Sequence, residues 1–361
     1  MRNVAVALGL SGLGLVAVAR AQDARPTLAV GTAVASRGQV AYGELQVPAG
    51  ADAATNLPVA VIHGTRPGKV VAFVAGSHGT EYASIVALTR LIGRIDPKGL
   101  TGSVIIAPLL NVASFEQMTV HVNPIDRKGM NAGYPGRADG TQTERALALV
   151  AAQVVEPADV IVDLHGGDLD EDLRPYSYLT RTGHAAQDEA ARALVLAFGL
   201  DHIIVRDIDT AKPASVRSLG GYALSRGKTA IVAEAGRSGT VLTEDVNALV
   251  DGCLSVLGSL NMMRPPIRPK PKQPTYVTGG SRVTAEKAGM FFASVRRGTI
   301  VAEGAIVGHT TDYLGRKTGD VMTPVAGLVT FIRGVPSMWP NATLVNVSPI
   351  LPSLPAYKKP S

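Results

Sequence analysis

Apolar runs that are typical of buried strands alternate with helix-forming segments along most of this chain. Four strands are predicted, at 70–75, 103–108, 159–164 and 229–233. Four helices are predicted, at 81–95, 142–155, 185–198 and 245–260. Continuous apolar strands separated by helices indicate a sheet that is covered on both faces. The sequence therefore predicts an α/β fold with a mostly parallel central sheet and helices on both faces.

The pattern changes after residue 263. Residues 264–274, RPPIRPKPKQP, contain five prolines, which favour extended chain and remove backbone hydrogen-bond donors. We interpret this segment as a semi-rigid linker that follows a catalytic domain at 22–263. Short β-rich runs come next and predict a small all-β module at 275–350, followed by a tail at 351–361.

The N-terminal segment has the residue order of a secretory signal. Arg2 precedes the uncharged run VAVALGLSGLGLVAVA, and Ala19-Arg20-Ala21 supplies small residues at a cleavage point. We therefore expect residues 1–21 to be a cleaved signal peptide and the mature protein to be periplasmic or secreted. An uncleaved N-terminal anchor is the alternative, although the run is shorter than the ~20 residues that a spanning helix needs.

Composition excludes several other classes of protein. The N-terminal run is the one apolar stretch that approaches membrane length, so a polytopic membrane protein is excluded. Cys253 is the single cysteine, which rules out an intramolecular disulfide and a cysteine-rich metal cluster. Aromatic residues are 4% of the chain, and no basic run is interleaved with them despite a net charge of +6. We therefore expect no nucleic-acid partner, and no membrane contact once the signal is removed.

Residues with metal-binding and acid–base chemistry follow three of the predicted strands. The first strand leads into GSHGTE with His78 and Glu81, the third into DLHGG with His165, and the fourth into EAG with Glu234. Ligands bind outside the carboxyl ends of strands in an open parallel sheet, so these side chains are expected to converge. Two histidines and one carboxylate are a known ligand set of catalytic zinc. His78, Glu81 and His165 are thus candidate zinc ligands, and Glu234 is a candidate base.

Each of these residues also has a structural interpretation. A histidine at a strand end can simply bond to backbone, and Glu81 can stabilise the first turn of a helix. Glu234 can be a loop acid, although its position after a buried strand makes its charge costly. Asp163 shares a strand face with His165, so it either orients that imidazole or is a buried carboxylate bonded to backbone.

The three elements, in this order and context, resemble the succinylglutamate desuccinylase/aspartoacylase family of the zinc carboxypeptidase superfamily. The resemblance covers most of residues 65–262, and the β-rich C-terminal module is also typical of the family. It implies a zinc-carboxypeptidase-like fold, one Zn²⁺ held by His78, Glu81 and His165, and Glu234 as general base and then acid. The implied reaction is hydrolysis of the amide bond in an N-acyl amino acid or a similar small amide.

The chain departs from the family where substrate is expected to bind. Asn131 matches the family asparagine, but Ala132 stands where an arginine follows it, and His121 occupies an earlier arginine position. Alanine cannot replace the bidentate fork of arginine. Arg127 is a candidate to reach the same space, or else a solvated loop charge. Arg217, in RSL, resembles an arginine that contacts the substrate carboxylate in aspartoacylases.

The sequence leaves three functions open. The first is a zinc amidohydrolase whose partner is a small-molecule amide. The second is a zinc carboxypeptidase-type peptidase that acts on short or cell-wall peptides. The third is a non-catalytic binding protein of the same fold, which the intact Glu234 argues against because a binder needs no base. Homo-oligomerisation stays open in all three.

Overall fold

The structure is a computed structural model that describes residues 25–264 and 273–360. The predicted signal peptide at 1–21 and most of the predicted linker at 264–274 lie outside the described residues. No helix within the described ranges is long and apolar enough to cross a membrane.

Six α-helices and nineteen strands make up the described chain. The helices are α1 Tyr82–Ile92, α2 Val112–Gln117, α3 Gln142–Val150, α4 Ala185–Phe198, α5 Leu219–Ser225 and α6 Thr243–Ser259. A π-helical turn, Ala151–Val155, continues α3, and 3₁₀ turns occupy Met130–Ala132 and Pro213–Val216. The first ten strands are β1 Thr27–Val30, β2 Ala33–Ser36, β3 Gln39–Val47, β4 Thr55–His63, β5 Arg66–Val74, β6 Thr101–Ala107, β7 Val160–His165, β8 Glu171–Arg181, β9 His202–Asp207 and β10 Thr229–Arg237. The remaining strands are β11 Thr275–Val277, β12 Ser281–Thr284, β13 Gly289–Ala293, β14 Ile300–Val301, β15 Ile306–Thr311, β16 Lys317–Met322, β17 Gly327–Arg333, β18 Ser337–Met338 and β19 Thr343–Ser348.

Thirteen strands form one large sheet. Its main path runs β12-β19-β17-β8-β10-β7-β5-β6-β4-β3, and β9 pairs with the C-terminal half of β8 and with β11. The four central strands β10, β7, β5 and β6 are mutually parallel. They correspond to the four strands that the apolar runs predict.

The prediction of a mostly parallel sheet is wrong, because the sheet is mixed. Strands β3, β4 and β8 lie antiparallel to their neighbours β4, β6 and β10. Five residues, 166–170, separate β7 from β8, which is too short for the crossover of a dozen or more residues that parallel strands need. An apolar run indicates that a strand is buried, whereas the length of the connection between two strands limits whether they can run parallel.

Helices cover both faces of the sheet, as predicted. Alternate side chains of β5 point to opposite faces, so Phe73 joins one core cluster while Ala72 and Val74 join the other. Helices α1, α4 and α6 pack on the first face. Helices α3 and α5 pack on the second, together with the β1–β2 hairpin. The carboxyl ends of the central strands are thereby left open at one edge of the sheet.

The predicted C-terminal β module is present, and part of it extends the large sheet. Strands β12, β17 and β19 continue the sheet beyond β8, through pairing of Phe331 with Leu173. Strands β13, β15, β16 and β18 form a separate four-stranded antiparallel sheet. An apolar cluster that includes Phe291 and Leu344 joins the two parts. The module therefore lies against the strand that borders β10.

Candidate metal centre

Three strand ends bring the predicted zinc ligands to one edge of the sheet. After β5, Gly76 adopts a φ of 67°, which favours glycine, and turns the chain into the loop that carries His78. Glu81 precedes the first residue of α1, and His165 is the last residue of β7. Glu234 lies opposite His165 in the parallel register of β10 and β7. The structure thus brings His78, Glu81, His165 and Glu234 together.

The carboxylate of Glu81 lies between the two imidazoles. Its Oε1 is 2.7 Å from Nδ1 of His78, and its Oε2 is 2.9 Å from Nδ1 of His165. The backbone N–H of Gly166 donates to the same Oε2 at 3.1 Å. Candidate ligand atoms of the three side chains all lie within 4.8 Å of one another. This is a two-histidine, one-carboxylate donor set, and it could hold a zinc ion.

The three side chains are electrostatically coupled. Burial opposes the charge of Glu81, but His165 and His78 outweigh it and hold the pKa of this carboxyl well below its usual range. Burial likewise opposes the charge of His165, but Glu81 and Asp163 raise the pKa of that imidazole well above its usual value. The carboxylate is therefore ionised, as a metal ligand must be.

The ring of His165 is oriented from its other nitrogen. Its Nε2 lies 3.4 Å from Oδ2 of Asp163 and 3.3 Å from Nδ2 of Asn131. Asp163 is 2% exposed, so this carboxylate is deeply buried beside the imidazole. The contact matches the arrangement in which a carboxylate fixes the tautomer and direction of a metal-binding histidine.

Glu234 faces the same space from β10. The hydroxyl of Tyr176, its partner residue on β8, donates to Oε2 of Glu234 at 3.0 Å. Burial raises the pKa of Glu234 to about 7, despite the opposing effect of His165. A carboxyl group with this pKa can accept and release a proton near neutral pH.

His121 contacts acidic residues. Its Nδ1 is 3.2 Å from Oδ2 of Asp168, and its Nε2 is 3.8 Å from Oε1 of Glu171. Asp168 is buried and also accepts from the hydroxyl of Thr80 and, at 2.8 Å, from the backbone N–H of Leu169. Two further groups combine residue types that bind metals. One consists of His78, His121 and Asp168, and the other consists of His121, Asp170 and Glu171.

A central cavity of about 780 Å³ opens over these residues. The part of the chain before the linker contributes His78, Glu81, His165, Glu234, Asn131 and His121 to its lining. Arg282, Thr330, Arg333, Trp339, Asn341 and Asn346 line it from the C-terminal module. Arg127 and Arg217 are not among its lining residues. Arg127 is exposed, and Nε of Arg217 donates to the backbone oxygen of Ala132 at 2.7 Å.

Sequence reasoning missed several residues that contribute to this site. Asp168 directly follows the DLHGG element, and this proximity was an available signal. Tyr176 and Tyr178 are two apart on β8, so both face the cavity, but no local pattern places β8 beside β10. Arg206 also lines the cavity from β9, and its position depends on the same long-range pairing.

Comparisons with known proteins identify related sequences and folds. A family model described as the succinylglutamate desuccinylase/aspartoacylase catalytic domain matches residues 67–260, more than half of the chain. A protein of Halomonas elongata named N-α-acetyl-L-2,4-diaminobutyric acid deacetylase is 26% identical over 282 residues, which cover 76% of this chain and 80% of that protein.

Solved structures share the fold. The product-bound structure of the ectoine utilization protein EutE (DoeB) from Ruegeria pomeroyi has a TM-score of 0.79 and 22% identity, and the match covers 90% of this chain and 99% of that one. A succinylglutamate desuccinylase/aspartoacylase from Rhodobacter sphaeroides has a TM-score of 0.77 and 21% identity, with coverage of 87% and 96%.

Proposed function

This chain belongs to the succinylglutamate desuccinylase/aspartoacylase family, and we propose on that premise that it is a zinc-dependent amidohydrolase. Its substrate is the amide of an N-acyl amino acid or a similar small amide. The name of the Halomonas elongata relative describes removal of an acetyl group from the amine of an amino acid, which supports this reaction class.

The observation that carries the proposal is the position of the Glu81 carboxylate between the Nδ1 atoms of His78 and His165. These three side chains hold one zinc ion. When bound, zinc supplies Lewis acidity that polarises an amide carbonyl and lowers the pKa of water toward ~7. Asp163, on the far side of the His165 ring, keeps that imidazole in place by accepting a hydrogen bond from its Nε2.

Glu234 moves the proton in the proposed reaction. Its carboxylate accepts a proton from the attacking water and returns it to the nitrogen of the leaving amine. The pKa of about 7 suits both transfers, because neither protonation state is strongly favoured at neutral pH. The Tyr176 hydroxyl fixes Oε2 of Glu234 at 3.0 Å, which leaves the other oxygen to face the reacting atoms.

The shape of the central cavity favours a small amide over a peptide. Its volume of about 780 Å³ lies within the range of small-molecule sites, ~300–1,000 Å³. Trp339, Asn341 and Arg282 of the C-terminal module contribute to its wall, so an extended peptide would meet this module. A carboxypeptidase-type activity on short or cell-wall peptides is therefore the outcome that the test below must exclude.

Amine release from a panel of amides tests the proposed function. The panel contains acetyl and succinyl derivatives of amino acids, including N-α-acetyl-L-2,4-diaminobutyrate, and matched dipeptides. We expect release from one class of N-acyl amino acids, loss of release with a chelator, and recovery when Zn²⁺ is restored. Release from the dipeptides alone would assign a peptidase. Release that persists in fully chelated protein would contradict the zinc dependence.

We propose that the protein acts outside the cytoplasm after removal of residues 1–21. The support is the order of Arg2, a long uncharged run and Ala19-Arg20-Ala21 in the sequence. N-terminal sequencing of the protein expressed in a Gram-negative host should yield Gln22 as the first residue, in the periplasmic fraction. Recovery of an intact N-terminus from the membrane fraction would instead support an uncleaved anchor.

A further inference from the structure

The family resemblance implies arginines at two positions of the substrate site, and this chain has Ala132 and His121 there. Ala132 has no charge, and His121 is engaged with Asp168 and Glu171. Arg217 does not compensate, because its Nε donates to the backbone oxygen of Ala132 and its side chain lines a different surface depression. A substrate carboxylate would therefore need a cation from another part of the fold.

Two of the three arginines that line the central cavity are poor candidates. Arg333 is 6% exposed and forms an ion pair with Asp170 at 2.8 Å. It also donates to the backbone oxygens of Thr343 and Ser337. Its guanidinium is thus committed to the packing of the C-terminal module. Arg282, an exposed residue of β12, lines the central cavity but is not among the residues that line the smaller recess next to Glu234.

Arg206 is exposed as well, but its guanidinium is held against an aromatic ring and lines the recess next to Glu234. Its Cζ lies 4.8 Å from the centre of the Tyr178 ring, a distance typical of a cation–π contact. Within residues 25–264 and 273–360, the structure gives the Arg206 side chain no hydrogen bond or ion pair. Arg206 pairs in register with Thr180, which is two residues from Tyr178, so the three side chains share one face of β8 and β9.

Arg206 also reaches a smaller space beside the reacting groups. An inner recess of about 160 Å³ shares five lining residues with the central cavity, which are Asn131, His165, Tyr178, Arg206 and Glu234. The ionisable groups that line this recess are Asp163, His165, Tyr178, Arg206 and Glu234. Asp163 is engaged with His165, so Arg206 is the one permanently cationic side chain among the described residues that line the recess.

We propose that Arg206 binds the carboxylate of the amino-acid part of the substrate in this inner recess. The inference rests on the proposed amidohydrolase function and deepens it, because it restricts the substrate to amides whose amine portion is anionic. Glu234, which returns the proton to the leaving amine, lines the same recess, so the amine portion lies next to Arg206. The guanidinium fork donates two parallel hydrogen bonds to a carboxylate, which lysine cannot reproduce.

Tyr178 is a positioning residue in this scheme. Its ring touches Arg206 on one side and packs edge-on against Tyr176, with ring centres 5.4 Å apart. Tyr176 in turn holds Glu234. The carboxylate anchor and the base are therefore connected through two tyrosine rings in edge-to-face contact. Tyr178→Phe keeps the ring and should keep substrate affinity, whereas Tyr178→Ala should weaken it.

The test compares Arg206→Gln with wild type on two substrates, the best N-acyl amino acid of the panel and its neutral carboxamide. For the carboxylate substrate we expect KM to rise about 10- to 100-fold, because a charge-assisted contact is lost, with a smaller change in kcat. For the carboxamide we expect a change of less than about 3-fold, since no ion pair is removed. Arg206→Lys should recover part of the loss. Arg282→Gln removes the same charge at the cavity wall and should discriminate less between the two substrates.

Calorimetry separates this inference from the proposed function. The probe is N-α-acetyl-L-2,4-diaminobutyrate, titrated into Glu234→Gln protein with and without the additional change Arg206→Gln. Weaker binding in the double variant supports the anchor even where catalysis is absent. Equal binding in both proteins, equal losses on carboxylate and carboxamide, or equal effects of Arg206→Gln and Arg282→Gln would each overturn it. Failure of wild type to release amine from any amide overturns the proposed function instead.

Discussion

Glu234→Gln is expected to lower kcat by about 10³-fold, the middle of the range for loss of a general acid–base group. Glutamine has nearly the same size, and it can still accept a hydrogen bond from Tyr176, so the cavity should keep its shape. It cannot accept a proton from water or return one to the amine. Zinc content should stay near one ion per chain, because Glu234 is not one of the three candidate ligands.

Two further variants make this result specific. Glu234→Asp retains a carboxylate but shortens the side chain by one methylene. We therefore expect kcat to fall less in Glu234→Asp than in Glu234→Gln. Glu244→Gln makes the same chemical change at an exposed position in the first turn of α6 and should leave kcat unchanged. Wild-type turnover in Glu234→Gln protein with full zinc content would remove Glu234 from the mechanism.

The pH dependence of kcat/KM is a second signature of Glu234. Burial raises the pKa of Glu234 to about 7, so the group is protonated and unable to act as a base at lower pH. Activity should therefore rise with pH along an acidic limb, and a bound divalent cation should move that limb below pH 7. The residual activity of Glu234→Gln should lack the limb. Full activity at pH 4 would contradict the assignment.

The predictable part of this site depended on local sequence, and the rest depended on strand pairing. His165 and Glu234 lie at the ends of buried apolar runs, and His78 and Glu81 lie in the short loop after another, so their convergence could be anticipated from the carboxyl ends of parallel strands. Tyr176, Tyr178 and Arg206 lie on β8 and β9, which join the sheet through register contacts between distant segments. No residue pattern within 171–207 predicts which strands will lie beside β8 and β9.

The same distinction explains the error in the predicted fold. The four central strands are buried on both faces and carry continuous apolar runs, and the sequence predicts them correctly. In β8, buried and partly exposed residues are mixed, because this strand borders the cavity. Its direction follows from the five-residue connection after β7 rather than from any apolar pattern. Burial can be predicted from composition along a strand, but direction depends on the path between strands.

Glu81→Gln is expected to remove zinc binding. The carboxylate is the one candidate ligand that lies between both imidazoles, and glutamine replaces it with a neutral, weaker oxygen donor. Even residues that only support a zinc ligand are worth about 10- to 100-fold in affinity, so loss of this ligand should cost about 10²-fold or more. Activity should fall in parallel. The measurement is zinc stoichiometry after dialysis against a weak chelator, together with kcat/KM.

A fall in zinc content must be distinguished from damage to the fold. Glu81 is the residue before α1 and makes no side-chain capping bond, so its replacement does not remove a helix cap. It does remove the charge partner of two imidazoles, so the metal-free variant should itself be less stable than metal-free wild type. The discriminating readout is therefore the rise in Tm that zinc produces in each protein. A ligand that binds only the folded state raises Tm, so wild type should show a clear rise and Glu81→Gln almost none. An equal zinc-induced rise in both proteins would place the metal outside the site formed by His78, Glu81 and His165.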